Sequence, residues 1–189
     1  MALILVLMVN MLCEQQPVMV IWKWLSFWSR KNSRKIPTNQ NMSQNCGRYV
    51  QLSSNITQQA SATPTQIQMN LVDAVQGVKV RDGTDVVVTK RGVYFVVAAP
   101  QVGTSGSGPS HADFWLRLNG KDVSNSNVRI QFNSSDSKDV IVAQAILELD
   151  GCDSLSVLFT GSNGTYIEAI KPDNEPLIPS IIFSLYRIA

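Results

Sequence analysis

One stretch of the chain is apolar on both of its sides. Residues 92–100 read Gly-Val-Tyr-Phe-Val-Val-Ala-Ala-Pro, and this β-branched and aromatic composition, opened by glycine and closed by proline, predicts a strand. Side chains alternate along a strand. One side carries Tyr94, Val96 and Ala98. The other side carries Val93, Phe95, Val97 and Ala99. Such a strand needs two partners, of which one is expected to be the protein's own second sheet and the other has to come from elsewhere.

The chain after Tyr49 has the pattern of an all-β protein throughout. Short alternating segments are separated by turn pairs with glycine in second place, namely Asp82-Gly83, Asn119-Gly120, Asp150-Gly151 and Asn163-Gly164. Residues 140–149 form a second strand that is apolar on both sides, and no segment has a helical period. About ten short strands at this spacing predict a two-sheet antiparallel jelly-roll sandwich over residues 42–189. An immunoglobulin-type sandwich fits less well, since it has about seven strands and often a cysteine pair.

Residues 1–41 differ from the rest and are expected to lie outside this fold. Two apolar runs, Ala2–Cys13 and Val18–Trp28, are followed by a polar stretch that holds four basic residues. Three interpretations stay open. A signal peptide would need a clearer cleavage site. A membrane anchor would be followed by a basic cluster that keeps the rest of the chain in the cytoplasm. We favour the third, an over-extended start with Met42 as the natural beginning, and we leave membrane association through residues 1–28 open.

Composition excludes one class of partner and indicates a setting. Charged residues make up 16% of the chain and the formal net charge is +2, so there is no electrostatic case for nucleic acid. Ser, Thr, Asn and Gln are abundant, as in many extracellular or particle-surface β proteins. Four N-glycosylation sequons occur, at Asn41, Asn55, Asn133 and Asn163. The three cysteines form neither a disulfide framework nor a zinc pattern, although one bridge between Cys46 and Cys152 stays open.

No group of residues spells out a catalytic site. His111 is the single histidine and follows the flexible loop Gly103–Pro109, so neither a Ser-His-Asp triad nor a zinc site is expected. We predict that the protein is not an enzyme and has no cofactor. Calcium stays open, because acidic residues come in pairs in several loops. The loop residues that could contact a ligand are His111, Asp136 and Asp173.

Four segments resemble the complement C1q and tumour necrosis factor-like jelly-roll superfamily. They are Gly92-Val93-Tyr94-Phe95, the hairpin Leu116-x-Leu118-Asn119-Gly120, the strand Ala145–Leu149 with the Asp150–Val157 segment after it, and the closing Phe183-Ser184-Leu185-Tyr186. In that superfamily a Gly-x-Tyr strand is the hallmark, and a Phe-containing strand ends the chain. Departures from the complement pattern after Tyr94 and in the last strand favour a microbial or viral member.

The resemblance implies a compact homotrimer in which one sheet of each protomer packs around a three-fold axis. The Gly-x-Tyr strand of the superfamily lies on that sheet, and the trimer-interface candidates are Tyr94, Val96, Ala98, Val142 and Tyr186. The two-sided strands lead to the same expectation, because a soluble monomer would expose a large apolar patch. The implied function is a non-enzymatic trimeric head that binds a protein or glycan ligand or assembles a surface. The alternative is a structural decoration protein of a virion or spore surface.

Overall fold

The computed structural model describes residues 47–189, which coincide with one compact unit of the chain, Gly47–Ala189. The predictions for residues 1–41 and for Cys46 lie outside this range. All regular structure in the range is β. The fifteen strands are β1 (Tyr49–Ser53), β2 (Gln58–Gln59), β3 (Thr65–Gln66), β4 (Leu71–Gln76), β5 (Val78–Arg81), β6 (Asp85–Val88), β7 (Gly92–Thr104), β8 (Ser110–Leu118), β9 (Lys121–Asp122), β10 (Val128–Phe132), β11 (Lys138–Val140), β12 (Ala143–Leu149), β13 (Ser154–Gly161), β14 (Thr165–Ile167) and β15 (Ile181–Arg187). Accordingly, none of the described residues forms a helix that could cross a membrane.

The strands form two antiparallel sheets. The first sheet has eight strands and is built around β7. One edge of β7 pairs with β15 and β14, and its other edge pairs with β12 and β11. The sheet continues from β15 through β1 to β4, and from β14 to β2. The second sheet has seven strands in the order β10-β8-β13-β6-β5, with β3 paired to β13 and β9 paired to β8. Successive strands often change sheet, as in a jelly roll. The predicted all-β, two-sheet sandwich is therefore confirmed.

The core lies between the two sheets. Ala98 of β7 pairs with Phe183 of β15, and both are fully buried on the inward side of the first sheet. The second sheet contributes Phe114 and Phe159, whose rings stack with their centroids 5.7 Å apart. Strands β7 and β15 bury every second residue along most of their length, so the period-two patterns of these two segments predicted strands correctly.

The two ends of the sandwich are different. At one end, which we call the base, the described chain begins at Gly47 and ends at Ala189. The Arg187 amide donates a hydrogen bond to the Arg48 carbonyl here, at 2.8 Å. Gly92 starts β7 at the base, where a Cβ atom on it would lie 2.4 Å from the carbonyl oxygen of Ala189. The glycine of the Gly-x-Tyr segment is thus required by the close approach of the last residue.

Three connections form the opposite end, which we call the loop end. They are residues 105–109, 133–137 and 162–164. The Ser105 amide donates to the Gly164 carbonyl at 2.9 Å, and the Asp136 amide donates to the Thr104 carbonyl at 2.9 Å. Strand β7 joins the base to the loop end along its 13 residues.

Pro100 does not end β7, although the sequence predicted a stop there. Its carbonyl accepts a hydrogen bond from the Ile141 amide at 3.3 Å, so its nitrogen also faces the side of β11 and β12. Residues 141–142 separate these two strands at this level. The ladder is therefore interrupted where proline has no hydrogen to donate, and β7 continues.

Residues 65–76 also differ from the expectation. The alternation of residues 66–71, with Ile67 and Met69 on one side, predicts a strand. Only Thr65–Gln66 pairs, as β3 of the second sheet, and Ile67 and Met69 are buried in irregular backbone. Strand β4 follows instead, and five of its six residues are exposed. An edge strand with so little burial leaves no alternating signal in the sequence.

Candidate functional site: an exposed apolar sheet face

The two sides of β7 have different surroundings. Tyr94, Val96 and Ala98 have no exposed surface in the single chain. The Tyr94 hydroxyl donates to the Lys90 carbonyl oxygen at 2.7 Å, and burial raises the pKa of this phenol. The prediction that these three residues form the trimer contact is therefore wrong. The second sheet of the same chain covers them, and the other side of β7 faces outward.

The outward side of the first sheet carries a group of apolar residues, which we call the apolar face. Residues paired across an antiparallel ladder lie on the same side of the sheet. Phe95 pairs with Ile146 on β12 and with Tyr186 on β15, and Tyr186 pairs with Tyr49 on β1. The eight members of the apolar face are Tyr49, Val93, Phe95, Val97, Ala99, Ile146, Ile182 and Tyr186.

Large side chains of the apolar face are in contact with water. Ile146 is 64% exposed and Tyr186 is 46% exposed. The rings of Phe95 and Tyr186 meet with their centroids 5.5 Å apart and their planes tilted by 59°. Single exposed apolar residues are ordinary on protein surfaces, whereas a contiguous group of this kind marks an interaction site.

Two of the predicted interface residues are placed where a contact could form. Tyr186 belongs to the apolar face, and Val142 is exposed immediately before β12. Their role in a contact stays a prediction. Sequence reasoning missed Phe95, Ile146 and Ile182 as interface candidates. The alternation along residues 92–100 and 140–149 contained the signal for Phe95 and Ile146, but the opposite side of β7 was chosen.

The outward side of the second sheet is polar. The Arg129 guanidinium donates two hydrogen bonds to the Asp113 carboxylate, at 2.7 and 2.8 Å, and these bonds raise the pKa of Arg129. Hydrogen bonds from Arg117, at 2.7 Å, and from the Trp115 indole, at 2.8 Å, lower the pKa of Asp122. The Asp113 and Asp122 carboxylates are therefore paired within the chain.

His111 lies next to the loop end, near the start of β8. Its Nδ1 atom is 2.9 Å from Ser162 Oγ, and its Nε2 atom is 4.0 Å from the Asp113 carboxylate. These residue types are those of a catalytic triad, but the carboxylate is too far from the imidazole for a hydrogen bond and is bound by Arg129 instead. Ser162 Oγ also accepts a hydrogen bond from the His111 amide at 3.1 Å. The group is an ordinary polar network and lacks the relay that a serine nucleophile needs.

The structure does not bring the three loop candidates into one site. Asp136 lies in the 133–137 loop, and Asp173 lies in the loop closed by the bridge between Ile170 and Ile178. Within residues 47–189, no group of three or more His, Cys, Asp or Glu side chains could hold a metal ion. Calcium and a ligand at these loops stay predictions.

Cys152 lies in the turn between β12 and β13 and is disulfide-bonded. Its amide donates to the Val88 carbonyl at 2.8 Å, which fixes the turn against the second sheet. Cys46, the partner that the sequence left open, lies outside the described residues, so this pairing stays a prediction.

Solved structures share this architecture. The chain is similar to Eiger TNF from S. frugiperda, with a TM-score of 0.53 and 14% identity over 76% of this chain and 93% of that one. It is also similar to the globular domain of the zebrafish complement 1qA protein, with a TM-score of 0.50 and 16% identity over 75% of this chain and 98% of that one. The fold is thus that of the complement C1q and tumour necrosis factor-like jelly rolls, as the sequence resemblance implied. No protein-family model and no curated protein matches the sequence.

Proposed function

We propose that the protein is a non-enzymatic head that forms a homotrimer through the apolar face. The observation that supports this proposal is the exposure of that face in a single protomer, where Ile146, Ile182 and Tyr186 are 64%, 41% and 46% exposed. Moving an apolar side chain of this size from full exposure to full burial is worth about 1.5–3 kcal/mol, so burying each of these half-exposed side chains contributes about half of that. Several such side chains from each copy can exceed the entropic cost of association.

A second copy of the chain is the partner best matched to the apolar face. Its members are aliphatic or aromatic, and Glu148, paired with Val93, is the charged residue beside them on β12. A face with so little charge has no electrostatic preference for a charged partner, whereas a copy of itself is complementary by apolar contact. The resemblance to the complement C1q and tumour necrosis factor-like fold implies the trimer as the closed form.

In this proposal the loop end contacts the ligand, which is a protein or a glycan. Strand β7 separates the loop end from the base, where Gly47 begins the described chain. Copies that pack side by side through the apolar face leave their loops uncovered. His111 and Asp136 are the candidate contacts at the loop end, and Asp173 is a candidate in the separate loop that the Ile170–Ile178 bridge closes.

An extracellular or particle-surface location is part of the proposal. The disulfide bond of Cys152 supports it, because disulfides form and persist in oxidising surroundings. The sequon residues Asn55, Asn133 and Asn163 are all exposed, as glycan carriers would need to be.

A structural role is the second candidate function. In this role the trimer itself decorates a virion or spore surface and needs no ligand. The position of Asp173, in a loop apart from those of the loop end, favours it, since a ligand site usually has a few convergent polar groups.

Light scattering of the full-length chain tests the trimer. We expect a wild-type mass about three times the 20.8 kDa of one chain. Ile146→Glu should have the mass of one chain, because association would bury the new carboxylate without a partner. Val72→Glu is the matched control: Val72 is 53% exposed but lies on the edge strand β4, outside the apolar face.

Two results would contradict the proposal. One is a wild-type mass of a single chain at micromolar concentrations. The other is an unchanged oligomer in Ile146→Glu, which would locate the contact elsewhere in the chain. Circular dichroism of each variant distinguishes lost association from lost folding.

A further inference from the structure

Strand β12 has one free edge. It pairs with β7 along all seven of its residues, and none of the described residues pairs with its other edge. The carbonyl of Pro100 points towards this side of β7, since it accepts the Ile141 amide. Ala98, two residues earlier, points the same way and pairs with Ala143. Because backbone groups alternate in direction along an antiparallel strand, every second residue of β12 bonds to β7. The remaining residues turn their amides and carbonyls away from the sheet, and they are Gln144, Ile146 and Glu148.

This free edge lacks the features that protect three other edges of the described sandwich. Strand β4 contains a bulge, β10 carries Arg129, and β5 carries Lys79 and Arg81. Bulges and charged side chains keep an edge from pairing with another chain. Strand β12 has a continuous register with β7, no basic residue and no proline. Its edge is therefore open to a further strand.

The sequence of β12 is complementary to itself about its central residue. Residues 143–149 read Ala-Gln-Ala-Ile-Leu-Glu-Leu. If two copies pair antiparallel about Ile146, this residue lies opposite itself and Gln144 lies opposite the partner's Glu148. A glutamine amide can donate to a carboxylate, and Glu148 has no other partner within residues 47–189. On the inward side each alanine lies opposite a leucine, so that small and large side chains alternate across the contact.

We propose that the free edge of β12 binds the same edge of a second copy, antiparallel and centred on Ile146. In this register every residue with open backbone groups belongs to a pair that exchanges two hydrogen bonds. The contact is isologous and joins the first sheets of two copies into one sheet. It differs from the trimer of the proposed function, because it is made by the backbone at the sheet edge and not by the side chains of the apolar face. Where many copies are held on one surface, it links heads side by side.

Sedimentation equilibrium of the full-length chain tests the contact. An edge of seven residues is smaller than a stable interface, so we expect a Kd on the order of 0.1–1 mM. The average mass should therefore rise at least about twofold between micromolar concentrations and about 1 mM.

The Gln144 and Glu148 pair tests the register. Gln144→Glu places like charges opposite each other at both ends of the contact and should weaken association about 3- to 10-fold. The double variant Gln144→Glu with Glu148→Gln exchanges the two side chains at unchanged net charge and should restore the association of the wild type. Gln131→Glu is the control: it makes the same chemical change on β10 of the second sheet, where Gln131 is exposed, and should associate as the wild type does. Circular dichroism checks that each variant is folded.

Amide hydrogen exchange, resolved by residue, is the second measurement. The amides of Gln144, Ile146 and Glu148 should exchange fast at micromolar concentrations and become protected towards about 1 mM. The amides of Ala145 and Leu147, which bond to β7, should be protected at both concentrations. This alternation distinguishes a strand pairing from a contact of side chains.

Three results would overturn the proposal. One is a mass that does not change up to about 1 mM. Another is a double variant that associates as weakly as Gln144→Glu. The third is protection of the Gln144, Ile146 and Glu148 amides already at micromolar concentrations, which would mean that something other than this contact covers the edge. A failure of the trimer is distinct, because it lowers the mass at micromolar concentrations and leaves the rise with concentration in place.

Discussion

The two sides of strand β7 are both apolar but have different partners. Tyr94 and Phe95 are neighbours in β7, yet Tyr94 has no exposed surface and Phe95 meets Tyr186 at the surface. The difference comes from the second sheet, which covers the side of Tyr94 and cannot reach the other. A strand that is apolar on both sides therefore indicates how many partners a sheet needs. Which side belongs to the protein's own core is decided by the fold.

The largest effect that would sharpen this comparison is expected on β15, where Phe183 and Tyr186 lie on opposite sides of the sheet. Phe183→Ala should lower the free energy of unfolding by about 3–5 kcal/mol, because Phe183 is fully buried and leaves a cavity. Tyr186→Ala should lower it by less than about 1 kcal/mol in the protomer but weaken self-association. Urea unfolding, at concentrations where the chain is a single protomer, measures the free energy of unfolding. Light scattering measures self-association. Equal losses of stability in both variants would contradict the assignment of the two sides.

A smaller effect separates folding from association. Cys152 is disulfide-bonded in the turn that leads from the first sheet to the second. Cys152→Ser should lower the free energy of unfolding by about 2–4 kcal/mol, because the bond restricts the unfolded chain. The mass in light scattering should stay that of the wild type, since Cys152 is not a member of the apolar face.

The predicted partner of Cys152 gives this experiment its control. Cys46→Ser should lose as much stability as Cys152→Ser, and the double variant should lose no more than either. Peptide mapping without reductant identifies the pair directly. A Cys46→Ser variant with wild-type stability would contradict the pairing.

Local patterns predicted most of the strands and turns. The Asn119-Gly120 turn was evident from two residues that tolerate positive φ, and their φ values are 49° and 79°. Strand β4 was missed because an exposed edge strand has no buried side to mark it. Pro100 was predicted to end β7, but the strand continues because the neighbouring ladder is interrupted between β11 and β12, opposite the proline. That interruption depends on pairing between distant segments, which has no local signal in the sequence.

The apolar face could be predicted in part, and the ion pair between Lys138 and Glu168 could not. Alternation divided the residues of β7 into two correct sets, but nothing in a strand says which set faces the second sheet. Lys138 and Glu168 are 30 residues apart and meet because β11 and β14 flank β7. Such a pair has no local signal in the sequence.

The smallest effect concerns the hydroxyl group of Tyr94, on the buried side. Tyr94→Phe removes the hydrogen bond to the Lys90 carbonyl and should lower the free energy of unfolding by about 1 kcal/mol at neutral pH. Burial raises the pKa of the phenol above its ordinary value of 10.0, so the folded state holds the proton more tightly than the unfolded state. This contribution is fully present below the ordinary pKa and is lost as the pH rises through the folded pKa, because the unfolded chain releases the proton first. Urea unfolding from about pH 8 to about pH 11 should therefore show a steeper alkaline loss for the wild type than for Tyr94→Phe. If Tyr94→Phe kept the wild-type slope, the phenol would not be buried in the folded state, and the assignment of Tyr94 to the covered side of the sheet would be wrong.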